Sequence, residues 1–371
     1  MPELGVLHVC PDFPNNKLYQ LLFSSLSTYV SNSVFVPSKK KAELEVNYPV
    51  SYLEKDFGLI DRVIYYRKQH YIFSDIERKE LFKEKQLIHA HTLFSAGYAA
   101  WRLYKKYGIP YVVAVRNTDV NTFFRHMVHL RSLGVRIILD SSAVIFISPS
   151  YKQIVFENYL PKRYHEQVEK KCHIIPNGID RIFLDNEPPM PKQLFDLDGH
   201  LRLIYVGEVN SNKNVTTTLH ACGILESQGI FPTLTVVGRI SDKRLEEIKE
   251  NRFVQYHNQS PKEEVINYYR QNGIFVMPSL KETFGLVYAE ALSQGLPIIY
   301  SKGQGIDGFF EDGFVGYAVK SKSPDEIVAA INKIVSNYPE ISTRCCQEAK
   351  AFSWERIAKE YDTIYRNILF Q

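Results

Sequence analysis

The 371-residue sequence has no uncharged apolar run of about 18 residues, the length a membrane-spanning helix demands, so any membrane contact must be peripheral. Its first residues, "MPELGVLHVCPDFPNN", offer too short an apolar stretch for a secretory signal and no basic segment ahead of it. Cysteine is scarce: Cys10, Cys172, Cys222, Cys345 and Cys346 form no C-x-x-C pair, and no histidine cluster stands at zinc-like spacing. Reduced thiols in a cytoplasmic protein, with the inner face of the membrane as an allowed location, are the expectation. Charge of one sign is lacking too. A formal net charge of +4 is too small to argue for nucleic acid, and the basic run Lys39 to Lys41 reads first as a solvated loop.

What is present is the composition of an ordinary globular protein, 45% hydrophobic and 23% charged, in a chain long enough for two cores. Short apolar runs alternate with longer amphipathic ones, the rhythm of β-α units around a parallel sheet. "GVLHVC", "SVFVP", "LIHAH", "YVVAV", "AVIFIS" and "CHIIP" read as strands of a first half; "LRLIYVG", "TLTVVG", "FVQYHN", "GIFVMP", "PIIYS" and "VGYAV" read as strands of a second. Between them, Asp185 to His200 is rich in proline and acid without periodicity, which makes it the linker candidate. In "SPKEEVINYYRQNG" and "SPDEIVAAINKIVSN" a serine cap, a first-turn proline and early carboxylates announce helices. The expected fold class is α/β: two facing Rossmann-like parallel-sheet domains with a cleft between them. The expected limits are 1–184 and 185–352, with a C-terminal helix over 353–371 packing back onto the first domain.

Two motifs mislead. "GQGIDG" (Gly303 to Gly308) matches G-x-G-x-x-G after a strand, but "FFEDG" leaves room for barely one helical turn before Gly313, so a dinucleotide site fails on context while close backbone approach to a ligand stays open. "DLD" at Asp196 to Asp198 has the look of a metal-binding D-x-D, yet it lies in the linker, where a solvated charge pair is the simpler reading and no metal site is implied.

The segment "ETFGLVYAEALSQGLP", Glu282 to Pro297, carries the chemistry. Its helix should run from near Gly285 to Gly295, so that "LKETFG" sits at a strand's carboxyl end and a helix N-terminus, a ready anion site. Glu290 lies more than a turn inside, flanked by Leu286, Val287, Ala289, Ala291 and Leu292. A carboxylate there needs a fixed partner or a polar ligand. A salt bridge to a neighbouring element and a pair of vicinal ribose hydroxyls both satisfy it.

The E-x7-E spacing of Glu282 and Glu290 within "PSLKETFGLVYAEALSQGLP" resembles the signature of the retaining glycosyltransferases of family 4, of the group 1 type with the GT-B fold. "LIHAHTLFSAGYAA", "IIPNGID", "LIYVGEVNSNKN" and the closing "FSWERIAKEYDTIY" follow in that family's order. The resemblance implies that Glu290 holds the ribose of a nucleotide-sugar donor, that Glu282 contacts the donor sugar, that backbone groups of Phe284, Gly285 and Leu286 cradle sugar and diphosphate, and that Lys213 neutralises the diphosphate. No cofactor and no metal is then needed, because cations and helix N-termini stabilise the leaving diphosphate.

Three departures qualify this. Glu208 stands where the family has an arginine, so either it turns outward or another cation, Arg239 or Arg116, substitutes. Arg116 and Asn117 replace a His-Gly pair in "VAVRNTD"; arginine cannot act as a base, so its role is charge stabilisation or hydrogen bonding to the sugar, with a structural ion pair to Asp119 as the alternative. The loop "CPDFPNNK" has no Gly-Gly, and Asn15 and Asn16 are expected to supply left-handed turns in its place. His89 and His91 read equally as structure or as ligand contacts. The first domain should hold the acceptor, and the basic, apolar "FFRHMVHLRSLGVRIIL" (Phe123 to Leu139) reads as a half-buried helix or a face for a membrane or lipid-linked acceptor. The implied function is hexose transfer from a nucleotide-diphosphate sugar to a saccharide or lipid-linked acceptor, with retention of configuration, in cell-surface polysaccharide or glycoconjugate synthesis. The alternative is a catalytically weak, nucleotide-sugar-binding partner subunit of a saccharide-assembly complex; a GT-B epimerase or phosphorylase is a lesser rival.

Overall fold

The apolar runs of the first half form one parallel sheet, joined by helical connections, with the central strands buried on both faces and the edge strands half-buried. Its strands are β1 (Leu4–Val9), β2 (Val30–Val36), β3 (Val50–Tyr52), β4 (Leu87–Ala90), β5 (Tyr111–Val115), β6 (Ala143–Phe146) and β7 (Cys172–Ile174), in the order β3-β2-β1-β4-β5-β6-β7. The computed structural model describes residues 4–13, 15–38, 46–54, 64–190 and 192–370, so the Lys39 to Lys41 run lies outside the described residues. β3 has no sequence signature: its three residues are all half-buried at the sheet's edge. A second parallel sheet holds β8 (Leu201–Val206), β9 (Pro232–Val237), β10 (Val254–His257), β11 (Ile274–Met277), β12 (Ile298–Ser301) and β13 (Gly316–Val319), ordered β10-β9-β8-β11-β12-β13. In both sheets the order reverses beside the first strand, between β1 and β4 and between β8 and β11. Crevices for ligands open there, outside the strands' carboxyl ends.

The chain divides into a unit of Met1–Ile147, Tyr151–Asn177 and Trp354–Gln371 and a unit of Ser148–Ser150 and Gly178–Ser353. The passage falls at Asn177, ahead of the proline-rich stretch at 185–200. That stretch is packed rather than free: Leu194 is buried so closely against Gly273 that a Cβ there would stand 2.7 Å from Leu194 Cδ1, and Lys192 Nζ donates to Tyr269 O at 2.8 Å. Helix Trp354–Phe370 belongs to the first unit. Trp354, Ile357, Ala358, Tyr361, Ile364 and Tyr365, at helical spacing, enter the same core as Val6, Leu22, Leu26 and Val34. Each large apolar side chain so buried contributes roughly 1.5–3 kcal/mol.

The helix signals hold once and fail once. Ser323 caps Pro324–Ser336, its hydroxyl accepting from Glu326 N at 3.3 Å. Ser260 does not cap Lys262–Gln271: Pro261 takes that place and the Ser260 hydroxyl donates to Asn258 O at 3.2 Å, leaving Glu263 and Glu264 to favour the helix start. Asn16 is likewise not left-handed; at φ −108° it caps Lys17–Leu26 by accepting from Leu18 N at 3.0 Å. The five cysteines are free, with Cys10, Cys222 and Cys345 buried.

Candidate active site

β11 delivers the chain to "PSLKETFG", and helix Leu286–Ser293 begins at Gly285 with φ 79°. Only glycine suits this turn: a Cβ would come within 2.5 Å of the Tyr288 ring, which is locked in place by its hydroxyl donating to Met277 O at 2.7 Å. Glu282 is braced from the "GQGIDG" loop. Its N–H donates to Gln304 Oε1 at 3.0 Å, its carbonyl accepts from Gly305 N at 2.9 Å, and a Cβ on Gly305 would stand 2.8 Å from Glu282 Cγ. Of the glycines that imitate a dinucleotide motif, Gly305 is the one that lets this loop close on Glu282.

Lys213 precedes helix Val215–Ser227 and forms an ion pair with the Glu282 carboxylate, which also accepts from Thr283 N at 3.1 Å. Neighbouring Asn214, at φ 60°, donates its amide to the carbonyls of Pro278 and Ser321, fixing the approach of the two helix starts. Phe284 is buried against Phe309 and Phe352, so only its backbone is available to a ligand.

Glu290 is half-buried on the second turn, and burial pushes its carboxyl up to about 7 against Lys262, which lowers it; Asp180 raises it and Tyr269 lowers it. Lys262 is committed elsewhere, 2.6 Å from Asp180. Among the described residues no ion pair within 4.0 Å reaches Glu290, so the salt-bridge alternative is not formed. Sequence reasoning kept the loop of Gln304 and Gly305 open for a ligand without placing it against Glu282, and missed Asp180 and Lys262; Asp180 stood in the quoted "IIPNGID", but nothing in the chain's order says which helix it meets.

Glu208 points to Arg239, at 3.4 Å, and a hydrogen bond from Ser241 together with that guanidinium holds its carboxyl below the ordinary range. The pair borders a cavity of about 330 Å³ with Gly207, Gly238, Gln259 and Ser260. Tyr205 links this cavity to the helix end, its hydroxyl donating to Glu208 O at 2.8 Å; burial first, and then the charges of Glu282 and Glu208, push that hydroxyl up. The acid that departs from the family pattern is therefore neutralised by an arginine 31 positions on, at the end of the adjacent strand.

Glu282, Lys213, Phe284, Gly285, Leu286, Glu290 and Arg239 all belong to the second unit; Arg116 and Asn117 belong to the first. Arg116 ends β5 with 8% of its surface exposed. The alternative of an ion pair to Asp119 is not made: that carboxylate accepts instead from the N–H groups of Leu93, Phe94 and Arg116 at 2.9, 3.0 and 2.9 Å. Asn117 is exposed and accepts from Asn121 and from the Tyr151 hydroxyl. His89 and His91 are fully buried. In the Phe123 to Leu139 segment, Phe124, Leu130, Leu133, Ile137 and Ile138 are buried while Arg125, His126, Val128, His129 and Arg136 are exposed, as in a half-buried surface element. Asp196 accepts from the N–H groups of Asp198 (3.0 Å) and His200 (2.8 Å), which makes it a turn former. Among the described residues, no helix is long and apolar enough to cross a membrane.

Two Rossmann-like parallel sheets, the second bearing an E-x7-E helix end, are the parts of the GT-B fold. The chain is a GT-B glycosyltransferase of group 1 type: residues 188–352 match the family described as Glycosyl transferases group 1, and residues 33–182 match Glycosyltransferase Family 4. It is 24% identical over 318 residues to a D-inositol 3-phosphate glycosyltransferase of Paenarthrobacter aurescens, covering 78% of this chain and 75% of that one. It is 25% identical over 250 residues to a lipopolysaccharide 1,2-N-acetylglucosaminetransferase of Salmonella typhimurium, covering 62% and 63%. The structure of Anabaena Alr3699/HepE in complex with UDP and glucose shares the fold, with a TM-score of 0.66 at 15% identity over 98% and 99% of the two chains.

Proposed function

We propose that the protein transfers a hexose from a nucleotide-diphosphate sugar to a saccharide or lipid-linked acceptor, with retention of anomeric configuration, in the synthesis of a cell-surface polysaccharide or glycoconjugate. The observation that carries this reading is the helix end of the second unit, where Lys213 pairs with Glu282, Gly285 starts the helix and Glu290 follows on its second turn. In this role Glu290 accepts from the two ribose hydroxyls. The first-turn N–H groups from Phe284 to Leu286 face the diphosphate and sugar, and Glu282 accepts from a sugar hydroxyl.

Lys213 passes from Glu282 to the diphosphate when donor binds, and Arg239, held by Glu208 beside the cavity, adds a second cation. With these cations and the helix dipole opposite the leaving group, transfer runs without a metal and without a cofactor. Arg116 and Asn117 act from the first unit, which is assigned the acceptor; Arg116 does so as a permanent donor and charge stabiliser. The exposed arginines and histidines around Val128 offer a peripheral contact to an anionic membrane face. Retention is supported by the family resemblance alone, and a saccharide or lipid-linked acceptor by a relative named for lipopolysaccharide N-acetylglucosamine transfer.

The test is a screen of uridine, guanosine and adenosine diphosphate sugars, with and without EDTA, followed by release of nucleoside diphosphate. Release from one donor class, undiminished by chelator and abolished by Glu282→Ala, is the expected result. Binding without turnover against a wide acceptor panel would point instead to the partner-subunit role.

A further inference from the structure

Buried polar atoms without a hydrogen-bond partner gather in the first unit at the carboxyl ends of β4 and β5. Nε and Nη1 of Arg116, Nε2 of His89, Nδ1 of His91 and Oγ1 of Thr92 have none among the described residues. Native interiors leave few such atoms, and these stand beside the reversal of strand order between β1 and β4, where parallel sheets take ligands.

Their chemistry is specific. Arg116 is a permanent cation with no carboxylate in ion-pair reach among the described residues. Asp119 is taken up by backbone N–H groups, and exposed Asp12, after β1, acts on Arg116 only at longer range. A buried charge without a counter-ion is costly to the fold, and that cost is removed when a ligand brings the opposite charge. His91 supplies an acceptor. The Asn32 amide donates to Phe23 O (2.9 Å) and Ser27 Oγ (3.0 Å), so its oxygen accepts from His8 Nε2–H at 2.8 Å. His8 Nδ1 must then accept from His91 Nε2–H at 3.0 Å, which leaves a bare lone pair on His91 Nδ1.

A divalent cation fits poorly, although ring nitrogens of His8, His89 and His91 lie within 4.8 Å of one another. The His89 and His91 rings are stacked at 3.9 Å rather than converging edge-on, and the fixed charge of Arg116 acts on both.

We propose that this crevice takes an anionic oxygen group, a phosphate or a carboxylate on a hydroxylated substrate, with Arg116 Nε and Nη1 donating to its oxygens and His91 Nδ1 accepting from a neighbouring hydroxyl. The assignment rests on the transferase reading in that the group belongs to one of its substrates, and it makes that substrate a charged saccharide or polyol rather than a neutral one. Arg116 and His91 are almost sealed from solvent, so entry requires a neighbouring side chain to swing aside; Tyr19 stands edge-on to His91 at 5.3 Å.

The experiment is thermal denaturation of the full chain with inorganic phosphate, D-glucuronate or D-glucose at matched ionic strength, on wild type, Arg116→Met, Arg116→Lys and Lys213→Ala. Wild type should melt several degrees higher with phosphate or glucuronate and not with glucose. The rise should persist in Lys213→Ala, which excludes the diphosphate site as its source, and vanish in Arg116→Met. A response to phosphate alone identifies a phosphoryl group, and one to glucuronate alone a carboxylate. No anion response, or an equal response in Arg116→Met, overturns the proposal. Should Arg116→Met not fold, Arg116→Lys keeps the charge without the two-pronged fork and should need about tenfold more anion for the same rise; an unchanged midpoint overturns it equally. Failure of every nucleoside diphosphate to bind wild type would remove the transferase reading and leave the anion response standing.

Discussion

Replacing Glu290 by glutamine tests the ribose assignment through pH. The folded protein holds this carboxyl at about 7 against an ordinary 4.5, mainly by burial, so the neutral form suits the unliganded fold. At about 1.4 kcal/mol per pH unit the difference is roughly 3 kcal/mol. Because the folded value lies above the unfolded one, stability is greatest below about pH 4.5 so far as this group is concerned, and falls as pH rises through about 7. Glu290→Gln should abolish that fall and be the more stable protein at pH 8, by up to roughly 3 kcal/mol in urea denaturation. Nucleotide binding should run the opposite way, since two ribose hydroxyls donate to the ionised form. At pH 5.5 only about 3% of Glu290 would be ionised, so wild-type affinity should be roughly 30-fold below its plateau above pH 8. Titration calorimetry of a nucleoside diphosphate from pH 5.5 to 8.5 reads this directly, and the glutamine variant cancels titration of the ligand's own phosphate. Parallel pH profiles for the two proteins would refute the reasoning.

Gly285→Ala, forced into φ 79° with its Cβ against Tyr288, should cost at least about 2 kcal/mol in denaturant midpoint analysis and weaken nucleotide binding more than tenfold. Arg239→Ala removes an exposed partner of Glu208, so stability should change by less than about 1 kcal/mol while donor affinity falls, because the unpaired acid then faces the phosphates. Ile357→Ala opens the core of the first unit beneath the C-terminal helix and should cost about 2–5 kcal/mol by the same denaturation assay, with nucleotide affinity of the folded protein unchanged.

The expected strands were legible because parallel strands buried on both faces leave near-continuous apolar runs, and β3 was not because three half-buried edge residues leave no period. Proline-rich composition located a connection, and the compact units part a few residues ahead of it at Asn177, since Leu194 and Lys192 bind the proline-rich segment to the second unit. At the site, the E-x7-E spacing and the Gly285 helix start could be read directly. The pairings could not: Lys213 meets Glu282 across 69 positions, and Glu208 meets Arg239 only because β8 and β9 are neighbours in register. The role of Asn32 in fixing the tautomers of His8 and His91 depends on β1 lying between β2 and β4, an order that no local pattern encodes. Serine before proline was an ambiguous signal, correct at Ser323 and overridden at Ser260 by the loop that borders the cavity.

The central claim is that the helix end formed by Glu282, Gly285 and Glu290 grips a nucleoside diphosphate. Calorimetric titration of uridine, guanosine and adenosine diphosphates into wild type and Glu290→Ala at pH 8 tests it most directly. One nucleotide should bind wild type at micromolar concentration and the variant at least tenfold more weakly. Equal affinity in the two proteins, or no binding of any nucleotide at millimolar concentration, would contradict the account.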